Sequence, residues 1–266
     1  MSGVKSSQRL AFQRAAVARA VGAEFLGSAL LAALVIGSGI AAQQLSADVG
    51  LQLLENAAAT AAGLFALILM FGPVSGAHFN PVVSIVDAFF GGLSWQRVAA
   101  YVPAQILGCC AGAILANLMF EETAVSISTH DRATGAHLLS EAVATAGLVL
   151  LIFALARSGR AALAPAAVGA YIGAAYWFTS STSFANPAIT IGRTLSDTFA
   201  GIAPGSVLPF LLDQVLGGLI FGAGLVWLLY PSLTTAQAAD VVVPATDDTS
   251  RAQPDGTQPD RASARN

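Results

Sequence analysis

Two short motifs hold the residues of this chain best suited to recognise a small molecule. They are Asn80-Pro81-Val82 and, 106 residues later, Asn186-Pro187-Ala188. Proline at the first helical position has no N–H to lose, and asparagine before it is among the best N-caps, so each motif marks a helix start. The first follows Ser75-Gly76-Ala77-His78-Phe79 and the second Ser183-Phe184-Ala185, both within an otherwise apolar chain. From Asn80 the apolar run lasts about 11 residues, or roughly 16 Å, which is half of a 30 Å hydrocarbon core. One such pair alone would read as a plain helix cap. Two copies read as half-helices meeting at the bilayer midplane. Non-helical backbone at that depth survives only where protein or a water-filled cavity satisfies it. The carbonyls of residues 76–78 and 183–185 are therefore expected to line a wet path, with the Asn80 and Asn186 amides donating into it. Each facing N-terminus adds about half a positive charge, which opposes cations and hydrated protons.

The elements that must hold these motifs are transmembrane helices. Of 266 residues, 55% are hydrophobic and 10% charged, with a mean hydropathy of +0.69; soluble proteins average about 25% charged. The predicted fold is an all-α membrane bundle of six transmembrane helices plus two re-entrant half-helices. Spans are expected near residues 21–42, 51–71, 94–120, 136–156, 163–178 and 205–230, with the half-helices running to about 90 and 199. Residues 1–19 form a basic arm lacking a signal-peptide cleavage site, residues 20–231 the membrane domain, and residues 232–266 a polar tail expected to be disordered. Adjacent Cys109 and Cys110 suggest small packing residues rather than a disulfide. With the N-terminus inside, the cytoplasmic face receives Lys5, Arg9, Arg14, Arg19, Arg97, Arg157 and Arg160, and the outer face only Arg132 and Arg193. Basic residues favour the cytoplasm, so both termini are placed there.

The halves repeat. Glu24, Asn80 and Gln105 with Gly108 are matched in order by Glu141, Asn186 and Gln214 with Gly217. Each half holds three spans, an odd number, so the second copy is inverted, and broken helices at matching positions point to a central substrate pathway. Glu24 and Glu141 are costly inside lipid and must be functional or buried within the bundle. Asn186, Ile189 and Arg193 share one helix face. Arg193 then stands about 10 Å outward of Asn186, either as a cation barrier in the outer vestibule or as a snorkelling or Asp197-paired surface residue. Asp87, at the same offset from Asn80, belongs near the cytoplasmic mouth. Glu55 and Asp213 have no matching partner. His78, His130 and His137 have no clustered ligands, and no phosphate loop or nucleophile elbow is present. No enzyme activity, cofactor, metal or nucleic-acid partner is expected.

The inverted Asn-Pro pair with its Ser75-Gly76-Ala77-His78 lead-in resembles the major intrinsic protein family, the aquaporins and aquaglyceroporins, over about residues 20–230. The resemblance implies a passive channel assembled as a homotetramer in a lipid bilayer, here the bacterial inner membrane. It also implies that Glu24 and Glu141, with His78, brace the re-entrant loops; a proton relay is the alternative role for the two acids. Two departures stand out. Val82 replaces the usual alanine of the first motif, and Ile189 replaces the arginine that members usually carry three residues after the second asparagine. Carried over by offset, the selectivity filter is Thr60, Ala174, Ser183 and Ile189, all small or aliphatic. A wide, weakly polar filter follows, passing glycerol-like polyols, undissociated metalloid acids such as arsenous acid, and water. The arginine-poor filter is similar to that of the family's arsenite-conducting bacterial branch. The rival readings are a proton-coupled secondary transporter, a mainly water-selective aquaporin, and a membrane-junction scaffold.

Overall fold

The computed structural model describes residues 2–230, with side chains from residue 14 onward. The tail expected to be disordered lies outside the described residues. Among the described residues the fold is wholly helical, with six spans long and apolar enough to cross a membrane. Helix α1 (Ser2–Leu45) runs unbroken through the basic arm into the first span. Helix α2 (Val49–Ser75) starts on an Asp48 cap and ends at Gly76, whose φ of 88° no other residue adopts readily. The half-helix α3 (Pro81–Phe89) and the span α4 (Trp95–Met119) start on the side-chain caps of Asn80 and Ser94. The second half repeats this order with α5 (Gly135–Arg157), α6 (Ala164–Phe178) and the half-helix α7 (Pro187–Gly192). Its last span is built from α8 (Pro204–Leu216), a π-helical turn Gly217–Gly222, and α9 (Ala223–Leu229).

Glycines set how closely the helices meet, because lipid offers no hydrophobic drive to press them together. A Cβ on Gly108 would lie 2.3 Å from the Phe25 carbonyl oxygen, and one on Gly112 2.0 Å from that of Ala29, so α4 sits directly on α1. The second half makes the same contacts with Gly217 against the Ala142 oxygen at 2.3 Å and Gly222 against that of Ala146 at 2.9 Å. The first pair of glycines is four residues apart and the second five. The π-helical turn absorbs the extra residue and keeps the second glycine on the packing face.

The second half-helix is shorter than expected. It ends at Gly192 and continues only as a 3-10 turn, Arg193–Leu195, before Ser196 turns extended. Its last carbonyls are taken from outside the helix: Ser128 N–H donates to Thr194, and both Ser126 N–H and Asn117 Nδ2 donate to Leu195. With those acceptors occupied, nothing favours another helical turn.

Val82 has a structural counterpart. Its side chain is fully buried, and a Cβ on Gly218 would lie 2.2 Å from Val82 Cγ1. The methyls added by valine thus occupy the space left by a glycine in the π-helical turn, and Val82 is not among the residues lining the central cavity. Gly218→Ala is expected to destabilise the protein by about 1–3 kcal/mol through overpacking, and Val82→Ala in the same chain to restore most of the loss. Thermal unfolding in detergent, followed by size-exclusion chromatography, measures both.

Candidate functional site: the junction of the two half-helices

Before each half-helix the backbone takes the same improbable path. Gly76, Ala77 and Phe79 have φ of 88°, 50° and 50°, and Thr182, Ser183 and Ala185, at the matching positions, have 64°, 52° and 47°. A left-handed conformation costs an L-residue about 1–2 kcal/mol, so five non-glycine residues here need support. Two buried carboxylates supply it. Glu24 accepts hydrogen bonds from the N–H groups of His78 (3.0 Å) and Phe79 (2.8 Å), and Glu141 from those of Phe184 (2.9 Å) and Ala185 (2.8 Å). Gln105 and Gln214 donate to the same carboxylates at 2.7 and 2.6 Å. Each glutamine also bonds the hydroxyl four residues past its asparagine, Ser84 or Thr190, and that hydroxyl bonds back to the asparagine carbonyl.

The two segments then lock together through their asparagines. Oδ1 of Asn80 accepts from Val82 N–H and Oδ1 of Asn186 from Ala188 N–H, which are capping bonds. Nδ2 of Asn80 donates to the Ala185 carbonyl at 2.8 Å, and Nδ2 of Asn186 to the Phe79 carbonyl at 2.7 Å. A primary amide has two N–H donors. One is spent across the junction, and the other is left for whatever occupies the cavity beside it.

That cavity, about 70 Å³, is bordered by both asparagines and both lead-in segments. Its other walls come from Leu31 and Val35 of α1, Thr60, Leu64 and Ile68 of α2, Leu148 of α5, and Val168, Ile172 and Tyr176 of α6. The α2 and α6 sets repeat every four residues, so each is one stripe of a helix. Most of this wall is hydrocarbon. Hydrogen-bonding groups are gathered on the side of the two asparagines and at one end.

A model of the family described as Major intrinsic protein matches residues 11–183. The chain belongs to the major intrinsic protein family. It is 49% identical to the aquaglyceroporin AqpS of Rhizobium meliloti (strain 1021) over 203 residues, covering 76% of this chain and 87% of that protein. It is 32% identical to the glycerol uptake facilitator protein of Bacillus subtilis (strain 168) over 146 residues, 49% of this chain and 53% of that one. Among solved structures, the aquaglyceroporin from Plasmodium falciparum superposes with a TM-score of 0.62 at 21% identity, covering 79% of this chain and 96% of that chain. The family model stops short of the second motif. The hydrogen bonds around Asn186, Glu141 and Gln214 show that this motif repeats the first in three dimensions.

Three of the four filter positions carried over from the family, Thr60, Ser183 and Ile189, border the cavity together. Ala174 does not. It is exposed on α6, two residues from both Ile172 and Tyr176 and therefore about 200° around the helix from the cavity stripe. Tyr176 is the residue that α6 contributes, and its hydroxyl lies 3.2 Å from Thr60 Oγ1. Phe184 and Arg193 join it, so this part of the cavity wall is neither purely small nor weakly polar. Helical period alone could have found Tyr176, had α6 been anchored on its own apolar stripe instead of on a distant motif.

Arg193 leaves the surface altogether, being 2% exposed. Its Nε donates to the Ala200 carbonyl, and its guanidinium carbon lies 3.4 Å from the Phe184 ring centroid. Asp197 is engaged elsewhere: it accepts from the Thr129 N–H and hydroxyl, and the backbone N–H bond holds its carboxyl below the usual aspartate range. The pairing of Arg193 with Asp197 that the sequence left open is therefore absent. Asp87 is buried at 3% exposure and sits beside His78, with Oδ2 to Nε2 at 3.5 Å. His78 borders the cavity, and its Nδ1 contacts Ser84 Oγ at 3.0 Å. Glu55 keeps one buried, unpartnered oxygen on α2.

Replacing Glu141 by glutamine puts an NH2 group where two backbone N–H donors converge. The expected cost is about 1–3 kcal/mol for each donor left unsatisfied, seen as a lowered unfolding midpoint in detergent. Glu24→Gln is expected to behave alike, since its carboxylate carries the matching load.

Proposed function

We propose that this protein is a passive transmembrane channel for small uncharged solutes: glycerol-like polyols, undissociated metalloid acids such as arsenous acid, and water. The observation that carries this reading is the central cavity, set between two half-helix N-termini, walled by hydrocarbon, and provided with a line of amide donors. Carbon-bound faces of a polyol suit the apolar wall while its hydroxyls meet the donors. An ion would give up its hydration for fixed positive dipole ends, which disfavours cations and hydrated protons. The aquaglyceroporin and glycerol facilitator among its relatives support the same class of solute.

Proton coupling is not favoured. Glu24 and Glu141 are fully buried, neither borders the cavity, and all four of their oxygens accept hydrogen bonds from the loops and glutamines. In this reading Asn80 and Asn186 face the solute, Pro81, Val82, Pro187 and Ala188 start the half-helices behind them, and Thr60, Tyr176, Ser183 and Ile189 form the filter. The excess of basic residues on one side supports a plasma-membrane protein with cytoplasmic termini, and homotetramer assembly rests on family membership.

Stopped-flow light scattering on proteoliposomes tests the reading. Osmotic and glycerol gradients are expected to give flux several-fold above empty vesicles, linear in solute and unchanged by a pH gradient. Saturable, pH-driven uptake would overturn it in favour of a transporter.

A further inference from the structure

The fixed charges that reach the cavity are mostly of one sign. Each half-helix N-terminus places about half a positive charge at the centre, and Arg193 borders the cavity as well. Such a field opposes cations and draws anions in. The position matching Arg193 in the first half is Asp87, seven residues past Asn80, and the inverted repeat puts it toward the other end of the path. Asp87 reaches the path through one residue. Its Oδ2 faces Nε2 of His78 at 3.5 Å, and His78 borders the cavity. Every oxygen of Glu24 and Glu141 accepts from a backbone N–H. Asp87 is equally deep, at 3% exposure, yet its Oδ1 has no hydrogen-bond partner. A charge on this carboxylate is therefore not absorbed by a shell of donors.

The Ser84 hydroxyl sets when that charge is present. It lies 3.2 Å from the Asn80 carbonyl and 3.0 Å from His78 Nδ1, and it accepts from Gln105 Nε2. A hydroxyl has one proton to donate. If the carbonyl receives it, Nδ1 must be the donor to Ser84, and a neutral ring then has no proton on Nε2. Two bare lone pairs would face each other, so a further proton sits between Nε2 and Oδ2 and the pair is neutral. If Nδ1 receives it instead, the ring proton is on Nε2, facing an ionised Asp87, and the pair carries one negative charge. One proton and one hydroxyl rotation separate the two states, and no heavy atom has to move. The other titratable and charged groups around the pair are Glu24 of α1, which accepts from the His78 N–H, and Tyr101 and Arg97 of α4. Tyr101 sets its ring edge-on to His78 at 5.8 Å and spends its hydroxyl on the Ser75 carbonyl.

We infer that Asp87, acting through His78, is the anion barrier of this channel, and that cytoplasmic pH sets its strength. The class it turns away is the small inorganic anion, which the positive centre would otherwise favour. As pH rises the pair gives up its proton and the negative charge is in place; as pH falls the pair is neutral and the barrier is gone. The charge stands one imidazole away from the path, where the low effective dielectric lets it act strongly on an ion. A neutral solute is unaffected. This rests on the channel reading above and adds to it the group that stops anions.

The test uses the full chain in proteoliposomes. Glycerol flux is followed by light scattering, and chloride influx by quenching of an entrapped dye, with potassium and valinomycin carrying the compensating charge. Both are measured between about pH 5 and 8, where a histidine exchanges its proton. Wild-type chloride influx is expected to fall several-fold across that range while glycerol flux stays level. Asp87→Asn, which fixes the group neutral, is expected to flatten the profile and to admit chloride at least fivefold faster than wild type at the alkaline end, with glycerol flux within twofold. Asp213→Asn removes an acid from α8 instead and is expected to match wild type. A conducting Asp87→Asn variant with wild-type chloride influx at the alkaline end overturns this inference alone, as does an Asp213→Asn variant that leaks equally. If Asp87→Asn does not fold, the wild-type profile decides: chloride influx that does not change with pH overturns the inference. A wild type no more permeable to glycerol than empty vesicles overturns the channel reading as well.

Discussion

Backbone polar groups placed at the middle of a bilayer have no water to fall back on, and the architecture of this chain follows from satisfying them internally. The two lead-in segments cannot be helical, because each must present the start of a half-helix to the other. Their N–H groups therefore need acceptors that no helix supplies. A carboxylate is the strongest acceptor a side chain offers, and Glu24 and Glu141 reach them from the first helix of each half. A charge buried at that depth is tolerable only when nearly every lone pair is occupied. The glutamines of α4 and α8, and the hydroxyls of Ser84 and Thr190 behind them, complete the shell.

This also explains where the inverted repeat is strict and where it is loose. Positions that satisfy backbone are chemically alike in both halves: glutamate, glutamine, asparagine, proline, a hydroxyl four residues on. Positions that face the cavity or fill space differ. His78 and Asp87 in one half stand where Phe184 and Arg193 stand in the other, and both pairs are in contact. Tyr101 packs its ring against His78 while Phe210 packs against Phe184. The scaffold thus tolerates opposite charges at equivalent sites, because the load is carried by the braces and not by these side chains.

The same division accounts for what was legible in the sequence. Asn80 and Asn186, the burial of the two glutamates and the six-span fold could be read directly, since each answers a local rule of capping, length or burial cost; the two glutamines were marked only by the repeat, and the glutamates' bracing role only by the family resemblance. Ala174 was misplaced because its position was carried from a motif across the intervening loop, and an error of two residues turns a helix by about 200°. The shortened α7 was illegible for a different reason. It ends where Asn117 and the segment around residues 126–128 take its carbonyls, contacts between residues 66 to 78 positions apart. Val82 looked like a lesion in the first motif until Gly218, 136 residues away, was placed against it.

The early end of α7 also decides the electrostatics of the path. A regular helix through residue 199 would have carried the Ala200 carbonyl onward, away from Arg193. The 3-10 turn, closed by the carbonyls of residues 194 and 195, leaves the arginine beside Ala200 and above Phe184 instead. Away from bulk water its charge acts through a lower effective dielectric, so one guanidinium here weighs more on a passing charge than it would at the surface.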